Sequence, residues 1–395
     1  MVETFIGAAL LAVVLVDIFL TVLYARIGAS LFSVRVSHLT WRAFRTLAPV
    51  TGRYRVAVLS ACGPVILVVI LVVWAFGLTL GTALIIHPAL GTDVTTGNRT
   101  TPQDFVAALY AGGSSMTIVG ASDFTPQTGS FRLFYLFTSL VGLAGISLTL
   151  TFLAQVYTAL QRRNTLGLQI DHASDATGDA AELLARLGPQ GKFDGGYSIL
   201  GTMAGSMTAV KEAHHFYPAL FYFRFRNPAY AVSHFTLVAL DTVSLIESAL
   251  DEECYGWLPK SAAVTQLQRS SLTLVTILTD TFLPATTPKG RSASDSQTLD
   301  RWRDRYHRAI SRLQQAGIRT VSDTRLGAER YVTLRSEWDP LVRRLAPSMA
   351  YSMEEIDPAG QHELCQSVKG SDGHKLDVRG WEEDQSRPAG SGFPG

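Results

Sequence analysis

Residues 101–126 read TPQDFVAALYAGGSSMTIVGASDFTP and lie between two long apolar stretches. Asp104 followed by Phe105 to Tyr110 reads as a short helix opened by an acidic residue. At about 1.5 Å per residue it is too short to cross a bilayer. Thr117-Ile118-Val119-Gly120-Ala121-Ser122-Asp123 and then Pro126 read as irregular, glycine-containing backbone. A short helix and an irregular strand between two spanning helices fit a re-entrant loop. Such backbone survives at membrane depth only where protein buries it or it lines a wet cavity.

The flanks carry the membrane reading. Phe5–Ala25 holds one acid, Asp17, whereas Val56–Ile86 and Leu133–Leu160 hold no charge. Each is long enough to span a hydrocarbon core of about 30 Å. The first is too long for a signal-peptide core and lacks a basic leader. Residues 1–160 carry 13 charged residues and no lysine. The remaining 235 residues carry 54, so lipid-compatible and water-compatible parts join near residue 160. The high apolar content excludes a disordered chain. Cys62, Cys254 and Cys365 are too few for a disulfide scaffold. A net charge of +1 offers nucleic acid no basic excess.

Arginines set an expected orientation. Residues 26–55 hold Arg26, Arg35, Arg42, Arg45, Arg53 and Arg55 and no acid, while 88–130 hold Asp93, Asp104 and Asp123 against Arg99. Arg162 and Arg163 follow the third stretch. The basic linker and the C-terminal half are expected in the cytoplasm, and the N-terminus and the 88–130 segment outside a cell membrane. Trp41 and Phe44 among the arginines suggest either a short helix on the inner leaflet or a solvated connector. Asp17 costs on the order of 3 kcal/mol in a span unless paired. It is expected in a helix–helix hydrogen bond or against a linker arginine, with a gating role as the sharper alternative.

The 101–126 stretch resembles the pore loop of the potassium channel superfamily, in the type with two helices around each loop. That family's pattern is a pore helix, then Thr-Thr-Val-Gly-Tyr-Gly-Asp, and a proline three residues on. Ala108, Leu109 and Tyr110 match the pore helix, and Thr117, Val119, Gly120, Asp123 and Pro126 match without a gap. The family's inner-helix hinge glycine falls on Gly142, within Gly142-Leu143-Ala144-Gly145. The resemblance covers residues 57–160. It implies a homotetramer passing monovalent cations, potassium with or without sodium, past filter carbonyls. Gly142 and Gly145 are then a hinge, or else small residues for close helix packing. Stepping by four gives Ile146, Leu150, Ala154 and Thr158, which either line an inner cavity or face the outer helix.

The filter departs from the pattern. Ile118 replaces a threonine whose hydroxyl serves the innermost site, Ala121 replaces the cuff tyrosine, and Ser122 replaces the second glycine. A side chain in that left-handed position costs about 1–2 kcal/mol per subunit. Gly112 and Gly113 are expected to loosen the pore helix. The filter is therefore expected to be wider or softer than a strict potassium filter. A non-conducting membrane sensor or scaffold that kept the pore fold is the alternative.

Beyond residue 160, apolar spacings of three and four predict helices over 179–187, 197–216, 229–250, 262–283, 298–316 and 325–345. No strand alternation or glycine-rich phosphate loop appears, so the doubly wound nucleotide-binding domain of many channels is not evident. Asp179, Pro218 and Pro228 read as helix starts, and Gly188-Pro189, Gly195-Gly196 and Pro284–Gly290 as breaks. The aromatic run 214–224 loosely resembles bacterial potassium channel-like proteins. His214 and His215 point about 100° apart on a helix and make no metal set. The run 272–283 is short and contains Asp280, which favours a buried core helix over a fourth span. Nine acids, four bases and few large apolar residues in 351–395 predict a disordered tail. The expected fold is all-α. An N-terminal transmembrane helix (1–25), a basic linker (26–55) and a pore module (56–160) precede a helical domain (161–350) and the tail. No enzyme motif, cofactor site or metal site is expected.

Overall fold

A computed structural model of the chain describes residues 1–24, 30–97, 100–117, 123–283 and 296–358. Helix α1 (Val2–Ile18) runs on through one π turn, Phe19–Leu23. Helix α2 (Ser33–Leu47) leads through a 3₁₀ stretch, Ala48–Tyr54, into α3 (Arg55–Ile86). Gly52 makes that corner at φ 51°, where a side chain is disfavoured. Strand β1 (Val94–Thr96) precedes α4 (Phe105–Met116), and β2 (Phe124–Pro126) returns antiparallel to β1. Helix α5 (Gly129–Ala173) follows. Three segments hold a helix long and apolar enough to cross a membrane, Val2–Leu23, Ser33–Ala89 and Gly129–Ala173.

Helix α1 packs along the C-terminal half of α3. Gly7 and Gly81 meet so closely that a Cβ on Gly7 would lie 2.6 Å from the Gly81 carbonyl oxygen. Close backbone approach of this kind is a common way for membrane helices to associate. Asp17, near the C-terminal end of α1, is fully buried at this contact. Its carboxyl group accepts from Trp74 Nε1 of α3 at 2.8 Å, and from the backbone N–H groups of Leu31 and Phe32 at 2.7 and 3.0 Å. The Ser33 hydroxyl donates to it as well. The expected helix–helix hydrogen bond is present, and the other donors belong to the entry of α2. Among the described residues its partners are this indole, a hydroxyl and main chain, and none is a linker arginine.

Helix α2 packs against α3 as well. Its Trp41 is buried against the Tyr222 ring, with centroids 5.7 Å apart, and His38 packs on the same ring. The linker thus docks on the C-terminal region rather than lying free. Leu39, Leu47 and Val50 remain exposed on its outer side.

The C-terminal region comprises α6 (Ala180–Leu187), α7 (Asp194–Phe216), α8 (Val232–Ala249), α9 (Glu252–Tyr255), α10 (Ala262–Phe282), α11 (Ser296–Gln315), α12 (Thr324–Ser348) and α13 (Met353–Ile356). Asp179, Asp251, Ser261, Asp323 and Ser352 each accept first-turn N–H groups, which offsets the unpaired donors of a helix start. Every residue of α8 except Glu247 is buried, as befits a central helix. Helices α5, α6, α10 and α12 surround it. Helix α10 is therefore a core helix, as its length and Asp280 suggested.

Three boundaries differ from expectation. The change in composition near residue 160 falls inside α5, which continues unbroken to Ala173. Gly195-Gly196 does not break a helix but lies in the first turn of α7. A Cβ on Gly196 would lie 2.0 Å from the Leu187 carbonyl oxygen, so the missing side chain admits the end of α6. Residues 351–358 are packed: Tyr351 and Ile356 are buried, and Ser352 and Glu355 form a capping box. The rest of the expected tail, 359–395, lies outside the described residues, as does the break at 284–290.

An ion network buried beside α8 closes the core. Asp241 Oδ1 accepts from Arg335 Nη1 at 2.7 Å and from the Tyr331 hydroxyl, and Asp241 Oδ2 forms an ion pair with Arg305, 3.0 Å from its Nε. Arg305 also binds Asp357 at 2.8 Å, and Arg335 binds Asp339 at 3.1 Å. Composition gave no warning of this network, because its members are scattered over 116 residues. His214 is buried too and donates from Nδ1 to the Val210 carbonyl at 3.0 Å. Burial, with nearby Arg163 second, pushes its imidazole down to about 3.

Two predictions follow from these contacts. Asp17→Ala strands four donors and should cost more than about 3 kcal/mol, whereas Trp74→Phe removes one bond and should cost about 1–2. Thermal unfolding in detergent measures both, and equal midpoints for Asp17→Ala and wild type would contradict the account. His214 binds a proton when unfolded but not when folded. Stability is therefore retained above its ordinary value of 6.5 and falls as the pH drops from there toward about 3. The slope is up to about 1.4 kcal/mol per pH unit. A flatter acid limb in His214→Gln checks this.

Candidate functional site

The site is assembled around the C-terminal end of α4. Asp104 opens the helix by accepting from the Ala107 N–H at 3.2 Å. Its inner face is small. Ala108 and Ala111 are fully buried, and a Cβ on Gly112 would lie 2.9 Å from the Ala83 nitrogen of α3. Gly112 thus brings α4 onto α3. It does more than lower helix propensity, as expected from composition alone.

The other side of α4 is clamped by α5. Ser139 Oγ donates to the Ser115 carbonyl at 2.8 Å, and Thr138 Oγ1 lies 3.1 Å from Ser115 Oγ. One turn on, Gly142 sits so near the Met116 carbonyl oxygen that a Cβ there would lie 1.9 Å from it. The Thr117 hydroxyl folds back onto the Ser114 carbonyl at 2.9 Å, and its backbone turns extended. Of the expected filter, Thr117 and Asp123 are described, and Ile118, Val119, Gly120, Ala121 and Ser122 lie outside the described residues. Asp123 is exposed and leads directly into β2. Tyr110 packs edge-on against Phe124 of that strand, with centroids 6.3 Å apart. The hairpin therefore ties the far end of the 117–123 stretch back to α4.

The two glycines of α5 differ. Gly142 is consumed by close packing against α4, and Gly145 has nothing within 4 Å of the place its Cβ would occupy. Ile146, Leu150, Ala154 and Thr158 are all exposed. They do not face α3, the helix expected to lie outside them. The side of α5 turned to its own chain carries Phe152, Val156, Ala159 and Leu160, packed with Leu67, Leu220 and Phe223. Between Thr138 and Phe152 no residue of α5 is buried.

Below this free stretch α5 is held again. Arg163 is buried and donates from Nη1 to the Leu220 carbonyl at 2.8 Å and from Nη2 to the Phe223 carbonyl at 3.0 Å. The strap 218–225 also packs Phe223 on Gly63 of α3 and stacks Phe221 on Phe282 of α10 at 4.0 Å. Sequence reading counted Arg163 as a charge marking the exit from a span. Its phase was the available signal, since 156, 159, 160, 163, 166, 167 and 170 form one buried face. The same reasoning places Thr138 with Gly142, four residues apart.

Among the described residues no cluster of three histidines, cysteines or acids could hold a metal. No family model matches the chain, and no curated protein or solved structure does.

The glycine geometry gives a direct test. Gly142→Ala must push α4 off α5 and should cost about 1–3 kcal/mol, whereas Gly145→Ala should leave the thermal midpoint within about 0.5 kcal/mol of wild type. Equal midpoints for the two variants would show that the clamp does not constrain the fold.

Proposed function

We propose that the chain is one subunit of a homotetrameric membrane channel for monovalent cations, of the potassium channel-like class. The observation that carries this reading is the short helix α4, clamped between two long apolar helices and ending at Thr117, where the family-like stretch to Asp123 begins. A helix C-terminus carries partial negative charge, which favours a cation beside Thr117. One loop per subunit cannot enclose a pore, and four around an axis can. The exposed stripe Ile146, Leu150, Ala154 and Thr158 then faces the inner cavity, with its apolar members able to gate by dewetting. In this reading the filter stretch Thr117–Asp123 strips water from potassium or sodium. Ile118, Ala121 and Ser122 lower its selectivity. The arginine distribution puts the N-terminus outside the cell membrane and the C-terminal helices in the cytoplasm.

Ion flux through purified protein in liposomes tests the reading. Wild type should pass potassium, and sodium within about tenfold of it, while Gly120→Asp should abolish the flux. Equal leak from wild type and variant would end the channel reading in favour of a membrane scaffold, a reading that the three filter departures motivate. Reversal potentials strongly favouring potassium would retain the channel and overturn the relaxed filter.

A further inference from the structure

A cleft of about 660 Å³ opens where the α2–α3 corner meets the end of the C-terminal region. Its walls include Arg45 from the last turn of α2, Arg55 from the first turn of α3, Arg224 from the strap, and Tyr351, Glu354 and Glu355. The charges are not equally committed. Glu355 accepts from Arg224 Nη2 at 3.0 Å and from the Ser352 N–H at 2.8 Å. Arg224 also donates to the Ala350 carbonyl at 2.9 Å and lies over the Tyr351 ring. These two groups neutralise each other and shape the floor. The side chains of Arg45 and Arg55 have no hydrogen-bond or ion-pair partner among the described residues. Against them stands Glu354, so the mouth keeps an excess of one positive charge.

The α2–α3 corner also exposes apolar side chains. Leu47, Val50 and Tyr54, between the two arginines in sequence, are all exposed, Val50 at 84%. Exposed aliphatic and tyrosine side chains interleaved with arginine suit the boundary between headgroups and acyl chains. The cleft volume lies within the range of small-ligand sites. We infer that this cleft binds a phosphate-bearing anion, presented as the headgroup of an anionic phospholipid, with Arg45 and Arg55 as its ligands. Guanidinium groups match phosphate oxygens in a two-pronged geometry. The exposed side chains of the corner, Leu47, Val50 and Tyr54, meet the acyl chains. The inference stands on the cleft and does not depend on whether the chain conducts ions. The site also touches the inner helix at one remove. Arg224 follows Phe223, whose carbonyl holds Arg163 of α5.

The test titrates the purified full chain in detergent with dioleoylphosphatidylglycerol, dioleoylphosphatidylcholine or inorganic phosphate. Native mass spectrometry and thermal midpoint give the readout. Wild type should retain phosphatidylglycerol over phosphatidylcholine, and Arg45→Gln/Arg55→Gln should lose affinity about fivefold or more. Arg35→Gln, on the same linker but outside the cleft, should bind as wild type, and added salt should weaken wild-type binding. Each variant's thermal midpoint without ligand shows that it is folded. Phosphate that binds with the same dependence on Arg45 and Arg55 and displaces the lipid supports the anion site. Phosphate that binds there without any preference for phosphatidylglycerol overturns the lipid as its source. Equal phosphatidylglycerol affinity in wild type and the double variant overturns the site.

Discussion

Asp17 decides how the first third of the chain is put together. A carboxyl group in an apolar helix is tolerable only when donors surround it, and here they come from three directions. Trp74 fixes the register of α1 on α3, and the Leu31 and Phe32 N–H groups with the Ser33 hydroxyl fix where α2 begins. One group thus sets both the antiparallel pairing and the return of the linker. Trp74 then touches Phe152 of α5, and Phe152 touches Tyr217 ahead of the strap, each at 6.3 Å. The level of Asp17 is where all the long apolar helices and the C-terminal region share packing.

The C-terminal region grips α5 through main-chain acceptors rather than through a counter-ion. Arg163 satisfies two carbonyls of the strap, and Arg224, the residue after Phe223 in the strap, satisfies another on the Ala350 turn. Buried guanidinium groups are costly without good partners, so these contacts fix geometry tightly. The strap cannot shift without leaving carbonyls or arginines unpaired. A displacement of α12–α13 would therefore reach α5 as a rigid push, through a path of named bonds.

Much of this was legible because it is periodic or compositional. Spacing of apolar residues located the C-terminal helices to within a few residues, since each buries one face, and α8 was found despite burying nearly all of itself. The caps at Asp104 and Asp179 were readable from local chemistry. Close approach was not readable as such: Gly112 and Gly196 looked like weak or broken helix, because composition cannot distinguish a missing side chain that loosens from one that makes room. The order of residues 351–358 was hidden for a related reason. The segment is polar, but Asp357 and Glu355 are paired with buried arginines from elsewhere in the chain. Average charge does not report on such pairing.

The two glycines of α5 then take different physical roles. A helix bends where bending disturbs least, and packing against neighbours resists it. At Gly142 any bend must carry the end of α4 with it, because the Met116 carbonyl and the Thr138 and Ser139 hydroxyls join the two helices. Below Phe152 the strap and Arg163 resist equally. Between these clamps α5 buries no residue fully, although Leu148 packs against the core, and Gly145 has open space where a side chain would be. The resemblance in sequence points to Gly142 as a hinge, whereas the packing leaves only Gly145 free to bend. With α4 fixed to the upper clamp, a bend at Gly145 would move the lower half of α5 and leave the end of α4 at Thr117 in place.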